Sequence, residues 1–236
     1  MSLQLIGKCP SPGPEGPQEA IKAAGPEAPR DCALCPRLVT YRTANRAAHP
    51  DWYNGAVESY GDAAARLLIV GLAPGVTGAN RTGRPFTGDW AGDLLYPTLA
   101  KFGLSRGTFK ARPDDGLQLI DTMITNAVRC VPPQNKPVGA EVNACRRYLA
   151  ARIAALPRLT QIITLGKIAH DSTVRALGAK VAQNPFGHNA SSQIGGYTVT
   201  ASYHCSRYNT NTGRLTPEMF ESVFAGVRVR LGYRSE

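Results

Sequence analysis

The sequence predicts an α/β fold: three layers, α/β/α, around a central four-stranded parallel sheet, preceded by an N-terminal arm. Three observations carry the prediction. Four short apolar runs each end in a polar or glycine-rich turn. Segments of helical spacing separate them, the pattern of strands buried on both faces. The chain has 236 residues, enough for one such domain and a short appendage.

The elements follow in order. Residues 9–30 are dense in Pro, Gly and Glu and read as an extended arm, so residues 1–30 are set apart from a single domain over 31–236. A short helix is expected after Cys35-Pro36, running to Arg46, and a connecting loop over Asp51 to Asp62. Arg66-Leu-Leu-Ile-Val70, closed by Gly71, is the first strand. Trp90 to Phe102 has helical spacing, with Asp89 as N-cap and Gly103 as stop. Leu119 to Val128 is the second strand, and Gly139 to Leu156 a helix stopped by Pro157. Gln161 to Leu165 is the third strand, followed by a helix over Lys167 to Leu177. Tyr197 to Tyr203 is the fourth strand. The last helix reaches Leu231, with Thr216 as N-cap and Pro217 in its first turn.

Composition narrows the function. No apolar run approaches the roughly 18–20 residues of a membrane span, and the first residues lack the pattern of a signal peptide. A cytoplasmic, nucleoid-associated protein is expected. The formal net charge of +10 favours a polyanionic partner, most often nucleic acid. The basic residues are scattered rather than gathered in a tail, so the charge belongs to a folded surface.

Four cysteines form a split set, Cys32-x2-Cys35 and Cys130-x14-Cys145. In a reducing compartment clustered cysteines are metal ligands more often than disulfides. Spacing alone leaves zinc and an iron–sulfur cluster equally open, with unrelated buried thiols the blander choice. Cys9 and Cys205 have no partner at comparable spacing, and Cys205 is expected to pack rather than ligate.

In open parallel sheets ligands bind beyond the carboxyl ends of the strands, so the loops there hold the chemistry. The first, Gly71 to Asp89, is glycine-rich, yet matches neither a dinucleotide fingerprint nor a P-loop. Phe86 within it is either a core anchor or a stacking surface for a base. The second, Asn126 to Pro137, starts with a strand-end Asn whose amide matches the O4 and N3–H edge of uracil, or else satisfies nearby backbone. Its prolines stiffen a segment offering Gln134, Asn135 and Lys136. The third, His204 to Arg214, puts a histidine at a strand end, before small polar and basic residues suited to an anion. Ser206 and Arg207 are candidates for phosphate contacts and Tyr208 for a wedge into a duplex, unless the loop is only a connection. His49, His170 and His188 sit in plainer contexts and are expected to be structural or surface groups.

Gly71-Leu-Ala-Pro-Gly75, Asn80-Arg-Thr-Gly-Arg-Pro-Phe-Thr-Gly88, Thr125-Asn-Ala-Val-Arg-Cys130 and Ser202-Tyr-His-Cys-Ser206 together resemble the iron–sulfur uracil-DNA glycosylases, in particular the branch called family 5 or type B. The resemblance covers roughly residues 30–230. It implies the fold of that superfamily and a structural four-iron four-sulfur (4Fe-4S) cluster on Cys32, Cys35, Cys130 and Cys145. It also implies base flipping from double-stranded DNA and hydrolysis of the N-glycosidic bond, leaving an abasic site. By the same likeness His204 bonds the uracil O2 as charge develops, Phe86 stacks on the base, Asn126 faces its edge, and Gly71 and Ala73 contribute to the base pocket.

One departure matters. Where most uracil glycosylases carry an Asp, Asn or Glu that positions water, this chain has Leu72 and Ala73. That lack is a trait of the branch. It makes Asn80 the sequence's candidate for the water, with backbone carbonyls competing, and fits a broader range of deaminated bases such as hypoxanthine and xanthine. Cys205, where relatives outside the branch often have Pro, leaves the wedge residue open. A monomer is expected. The competing readings are a non-catalytic nucleic-acid-binding module with a structural iron–sulfur or zinc site, and a small-molecule α/β enzyme, which the missing phosphate loop disfavours.

Overall fold

The computed structural model describes residues 25–233. Residues 1–24, most of the expected arm and Cys9 with it, lie outside the described residues. Glu27, at the arm's end, packs on the domain: it accepts from Arg129 Nη1 at 2.8 Å and from Arg152, and Ala28 is buried.

The chain then runs α1 (Pro36–Ala48), β1 (Tyr60–Gly61), β2 (Leu67–Gly71), α2 (Ala79–Thr82) and α3 (Trp90–Lys101). Next come β3 (Ser105–Arg106), β4 (Gln118–Leu119), β5 (Thr122–Asn126) and α4 (Gly139–Ala154). It finishes with β6 (Gln161–Leu165), α5 (Lys167–Ala176), β7 (Ser191–Ile194), β8 (Tyr197–Ser202), α6 (Arg207–Asn211) and α7 (Pro217–Arg230). The main sheet has the order β1-β5-β2-β6-β8-β7. Its four middle strands are parallel and its two edges antiparallel.

The four-stranded parallel centre is as expected, but the sheet itself is six-stranded. Both additions are edge strands without an apolar signature: β1 is two residues long, and β7 reads Ser-Ser-Gln-Ile with one buried residue. The second strand is also shorter than expected. Gln118–Leu119 pairs with β3 in a separate ribbon, Asp121 turns the chain at φ +53°, and only Thr122–Asn126 joins the main sheet.

Alternation along the strands sends side chains to two cores. Leu67, Ile69, Ile124, Ile163 and Leu165 face α3 and α7, meeting Leu95, Leu99, Phe220 and Phe224. Leu68, Val70, Met123 and Ile162 face α4 and α5, meeting Leu149, Ile153, Ala169 and Val174. Each such side chain contributes about 1.5–3 kcal/mol on burial, and together they hold three layers in register. The helix ends follow their capping residues. Thr216 accepts from Met219 N at 3.2 Å with Pro217 behind it, and Asp89 accepts from Gly92 N at 3.3 Å. Among the described residues no helix is long and apolar enough to cross a membrane.

Candidate active site

The strand order reverses at β2: the chain passes from β2 to β5 on one side, then crosses to β6 on the other. Crevices open at such switch points, beyond the carboxyl ends of the strands. A cavity of about 710 Å³ lies there, lined by Leu72 and Ala73 after β2, Leu165 and Gly166 at the end of β6, and His204 after β8. Three loops far apart in sequence thus meet in one place.

Gly71 organises the base-sized corner beside this cavity. A Cβ on Gly71 would fall 2.4 Å from Asn126 Oδ1 and 2.5 Å from Phe86 Cζ, so both side chains press on a backbone that must be glycine. Asn126 is buried at the end of β5, and its Oδ1 has no hydrogen-bond partner. A buried acceptor left unpaired costs about 1–3 kcal/mol, a cost a bound donor removes. Phe86 is buried with φ +54°, in a region non-glycine residues rarely enter. Its turn is braced from behind. Tyr96 donates to Pro85 O at 2.7 Å, and the buried Arg84 makes two 2.7 Å bonds to the Asp115 carboxylate and a third to Thr87 Oγ1. Arg84 in turn holds the Asp115 carboxyl well below the usual carboxylate range.

The Phe86 ring stacks on the His204 ring at 6.2 Å between centroids. Gly166, at φ +90°, leaves room for His204: a Cβ there would sit 3.3 Å from the His204 Cβ. Asn209 Nδ2 donates to His204 O at 2.8 Å and holds the loop. Burial lowers the His204 pKa from 6.5 to about 4, so the imidazole is neutral at physiological pH and donates through one ring nitrogen only.

Asn80, the sequence's choice for positioning water, does not line the cavity. Its side chain is buried and donates to Asn54 Oδ1 at 3.0 Å, so it ties the first loop to the segment after α1. The carboxylate that does line the cavity is Asp89. Burial, opposed by the backbone N–H groups of Gly92 and Ala91 and reinforced by Asp93, raises its pKa. Gly78 makes space for it, since a Cβ there would lie 2.4 Å from Asp89 Oδ2. In the sequence Asp89 reads only as an N-cap. The signal that marks it further is the run of glycines at 75, 78 and 88, which a capping role alone does not need.

The second and third loops form the rim. Gln134 and Asn135 both adopt φ +56° between the flanking prolines, and the tip Gln134-Asn135-Lys136 is exposed, with Asn135 at the cavity. Arg37, in α1 next to the first cysteine pair, donates to Lys136 O at 3.0 Å and to Glu141 at 2.8 and 2.9 Å. Arg207 and Tyr208 stand exposed at the mouth. The third loop is not irregular throughout, as its composition had led us to expect. It winds into α6, and the Ser206 hydroxyl caps that helix by accepting from Asn209 N. Cys205 is fully buried in the core, as expected. The other histidines are structural: His170 bonds Asn184 O at 2.9 Å, His188 accepts from Tyr203 N at 3.2 Å, and His49 stacks on Trp52.

Folding brings the four cysteines together. Cys32, Cys35, Cys130 and Cys145 line one small cavity with Leu38, Val128 and Tyr148. Among the described residues, no group of three or more His, Cys, Asp or Glu side chains is placed to hold a metal ion. The surroundings suit bound thiolates. Arg129 N approaches Cys145 Sγ at 3.2 Å, Arg42 Nη1 approaches Cys130 Sγ at 3.5 Å, and Tyr148 Oη lies 3.7 Å from Cys32 Sγ. As free thiols the inner pair is deeply desolvated, which pushes Cys130 up to about 11 and Cys145 to about 12.

The profile described as the Uracil DNA glycosylase superfamily matches residues 58–228. Among curated proteins, a Type-5 uracil-DNA glycosylase of Thermus thermophilus is 45% identical over 199 residues, covering 81% of this chain and 90% of that protein. A Type-5 uracil-DNA glycosylase of Pyrobaculum aerophilum is 40% identical, covering 82% of this chain and 86% of that protein. A Type-4 uracil-DNA glycosylase of the same organism is 35% identical over 64% of this chain and 63% of its own length.

Proposed function

This chain belongs to the uracil DNA glycosylase superfamily, and we propose that it excises uracil from double-stranded DNA, leaving an abasic site. The observation that carries the reading is the corner where the unpartnered Asn126 Oδ1, the Phe86 ring and Gly71 meet beside His204. A flipped uracil satisfies each of them: N3–H donates to Asn126, the ring lies on Phe86, and O2 faces His204.

The chemistry follows from the charges. As the N-glycosidic bond breaks, its electron pair leaves with the base and positive charge builds on the sugar. Neutral His204 donates to the O2 that becomes anionic, a bond worth more in a dry site than in water. Asp89 holds the water that adds to the sugar carbon and takes its proton. Its ionised carboxylate also favours the sugar cation. The departing base is protonated from solvent. Ala73 presents no polar group on the cavity wall, which supports hypoxanthine and xanthine as further substrates. Gln134, Asn135, Lys136, Arg207 and Tyr208 grip the duplex around the flipped nucleotide. The protein acts as a monomer on chromosomal DNA in the cytoplasm, its +10 charge drawing it to the phosphates.

A panel of labelled duplexes, each with one deaminated base, tests this reading. Uracil duplexes are expected to yield alkali-labile abasic sites, with hypoxanthine and xanthine cleaved more slowly. Binding without base release would mark a non-catalytic module instead.

Cys32, Cys35, Cys130 and Cys145 would hold a 4Fe-4S cluster, whose contribution is structural cross-linking. Cys130 follows Asn126 by four residues, and Arg37 ties the other pair's helix to Lys136. The site therefore braces the base-reading strand end and the proline-rich rim together. The purified protein is expected to be brown, with broad absorbance near about 400 nm. A colourless protein with stoichiometric zinc would show a different metal.

A further inference from the structure

Trp90 is an oddity at the cavity mouth. Large apolar side chains at the start of a helix normally turn inward, yet Trp90 is 44% exposed and lines the cavity rim. It is also held in place. Its indole Nε1 donates to Thr210 Oγ1 at 3.0 Å, and the Arg207 guanidinium lies over the ring at 4.9 Å. Among the described residues Arg207 has no carboxylate partner, so its charge remains available.

The bond and the stack fix the plane of an exposed ring before any ligand arrives. An indole pre-set in this way loses little freedom on binding. It sits one residue from Asp89 and is joined to α6, so it bridges the first and third loops at the entrance. A cation clamped on one face leaves the rest of the ring to a π-surface, with the guanidinium free to meet a phosphate oxygen. DNA offers both together.

We propose that Trp90 is a stacking platform for a base next to the extruded nucleotide, with Arg207 pairing the adjoining phosphate. The proposal rests on the glycosylase reading and extends it to the nucleotides outside the pocket. It distinguishes Trp90 from a mere tie between α3 and α6, which would need only the indole N–H.

The test uses the full-length protein and a duplex carrying a tetrahydrofuran abasic analogue. Trp90→Ala should weaken binding about tenfold, the range of one base–aromatic stack. Trp90→Phe, which keeps a ring but loses the bond to Thr210, should stay within about threefold of wild type. The loss should fall on affinity rather than on the single-turnover rate at saturating enzyme. Trp52 is the other tryptophan and stacks on His49. In a Trp52→Phe background, Trp90 emission should therefore be quenched as the duplex is added. Wild-type affinity in Trp90→Ala, or unchanged Trp90 emission on binding, would overturn the proposal. So would a Trp90→Phe as weak as Trp90→Ala, since that result assigns the residue to the tie. Uracil release by the wild-type protein is read in parallel. Its absence would defeat the glycosylase reading, whereas the emission change reports the platform independently.

Discussion

His204→Ala should lower the single-turnover rate of uracil release by about 10²–10³-fold, the loss typical of removing one oxyanion donor. Affinity for an abasic duplex should survive, because the rim proposed to contact DNA is left intact. The expected effect is large because the proposed mechanism puts His204 where charge appears. Its neutrality is part of the design. With a pKa near 4, the ring enters the reaction as a neutral donor across the physiological range. The rate should therefore show no inflection at 6.5, the ordinary histidine value. Folding carries the mirror-image signature. The unfolded chain binds the proton more readily, so His204 costs the fold stability as pH falls from 6.5 towards about 4. Unchanged excision in His204→Ala would remove it from the mechanism.

Asp89→Asn should slow the chemical step by on the order of 10²-fold or more, the scale of general-base catalysis. Asparagine caps a helix as well as aspartate does, so the Gly92 N–H keeps its acceptor and only the charge is lost. The linkage sign sharpens the test. Burial raises the Asp89 pKa, so its carboxylate at neutral pH costs the fold stability that the uncharged amide does not. The variant should melt at the same temperature as wild type or higher while losing activity. Lower stability with full activity would return Asp89 to a purely capping role. Asn80→Ala serves as the contrast. It removes the bond to Asn54 and should reduce stability, with a smaller effect on the chemical step.

The fate of these two residues shows how far the sequence reaches. Both lie in the first loop, and both are polar residues of a size to hold water. From the sequence Asn80 is the candidate for the water, against backbone carbonyls, and Asp89 reads only as the N-cap of α3. Packing reverses the order: Asn80 is turned into a bond with Asn54, while Asp89 opens on the cavity. A similar limit applies to the sheet. The four central strands are buried almost throughout, with apolar residues enough to be legible, whereas the edges carry polar side chains and pair only because a neighbour offers a free ladder. Ser206, a candidate phosphate contact in the sequence, also accepts from Asn209 N as the cap of α6, a second role that only the fold shows.

What the residues settle in isolation is local and ordinal. Apolar runs set the central strands, caps set the helix ends, and chain order sets which loops follow which strands. From these came the parallel centre and the strand-end positions of His204 and Asn126, while the roles proposed for His204, Phe86 and Asn126 rest on the family resemblance. What depends on the folded whole is direction. Which carboxylate meets the cavity and whether an exposed indole is fixed or free depend on packing between distant segments, as in the bond from Trp90 to Thr210. Such contacts leave no periodicity in the chain, because they are satisfied by shape and unpaired polar atoms rather than by spacing.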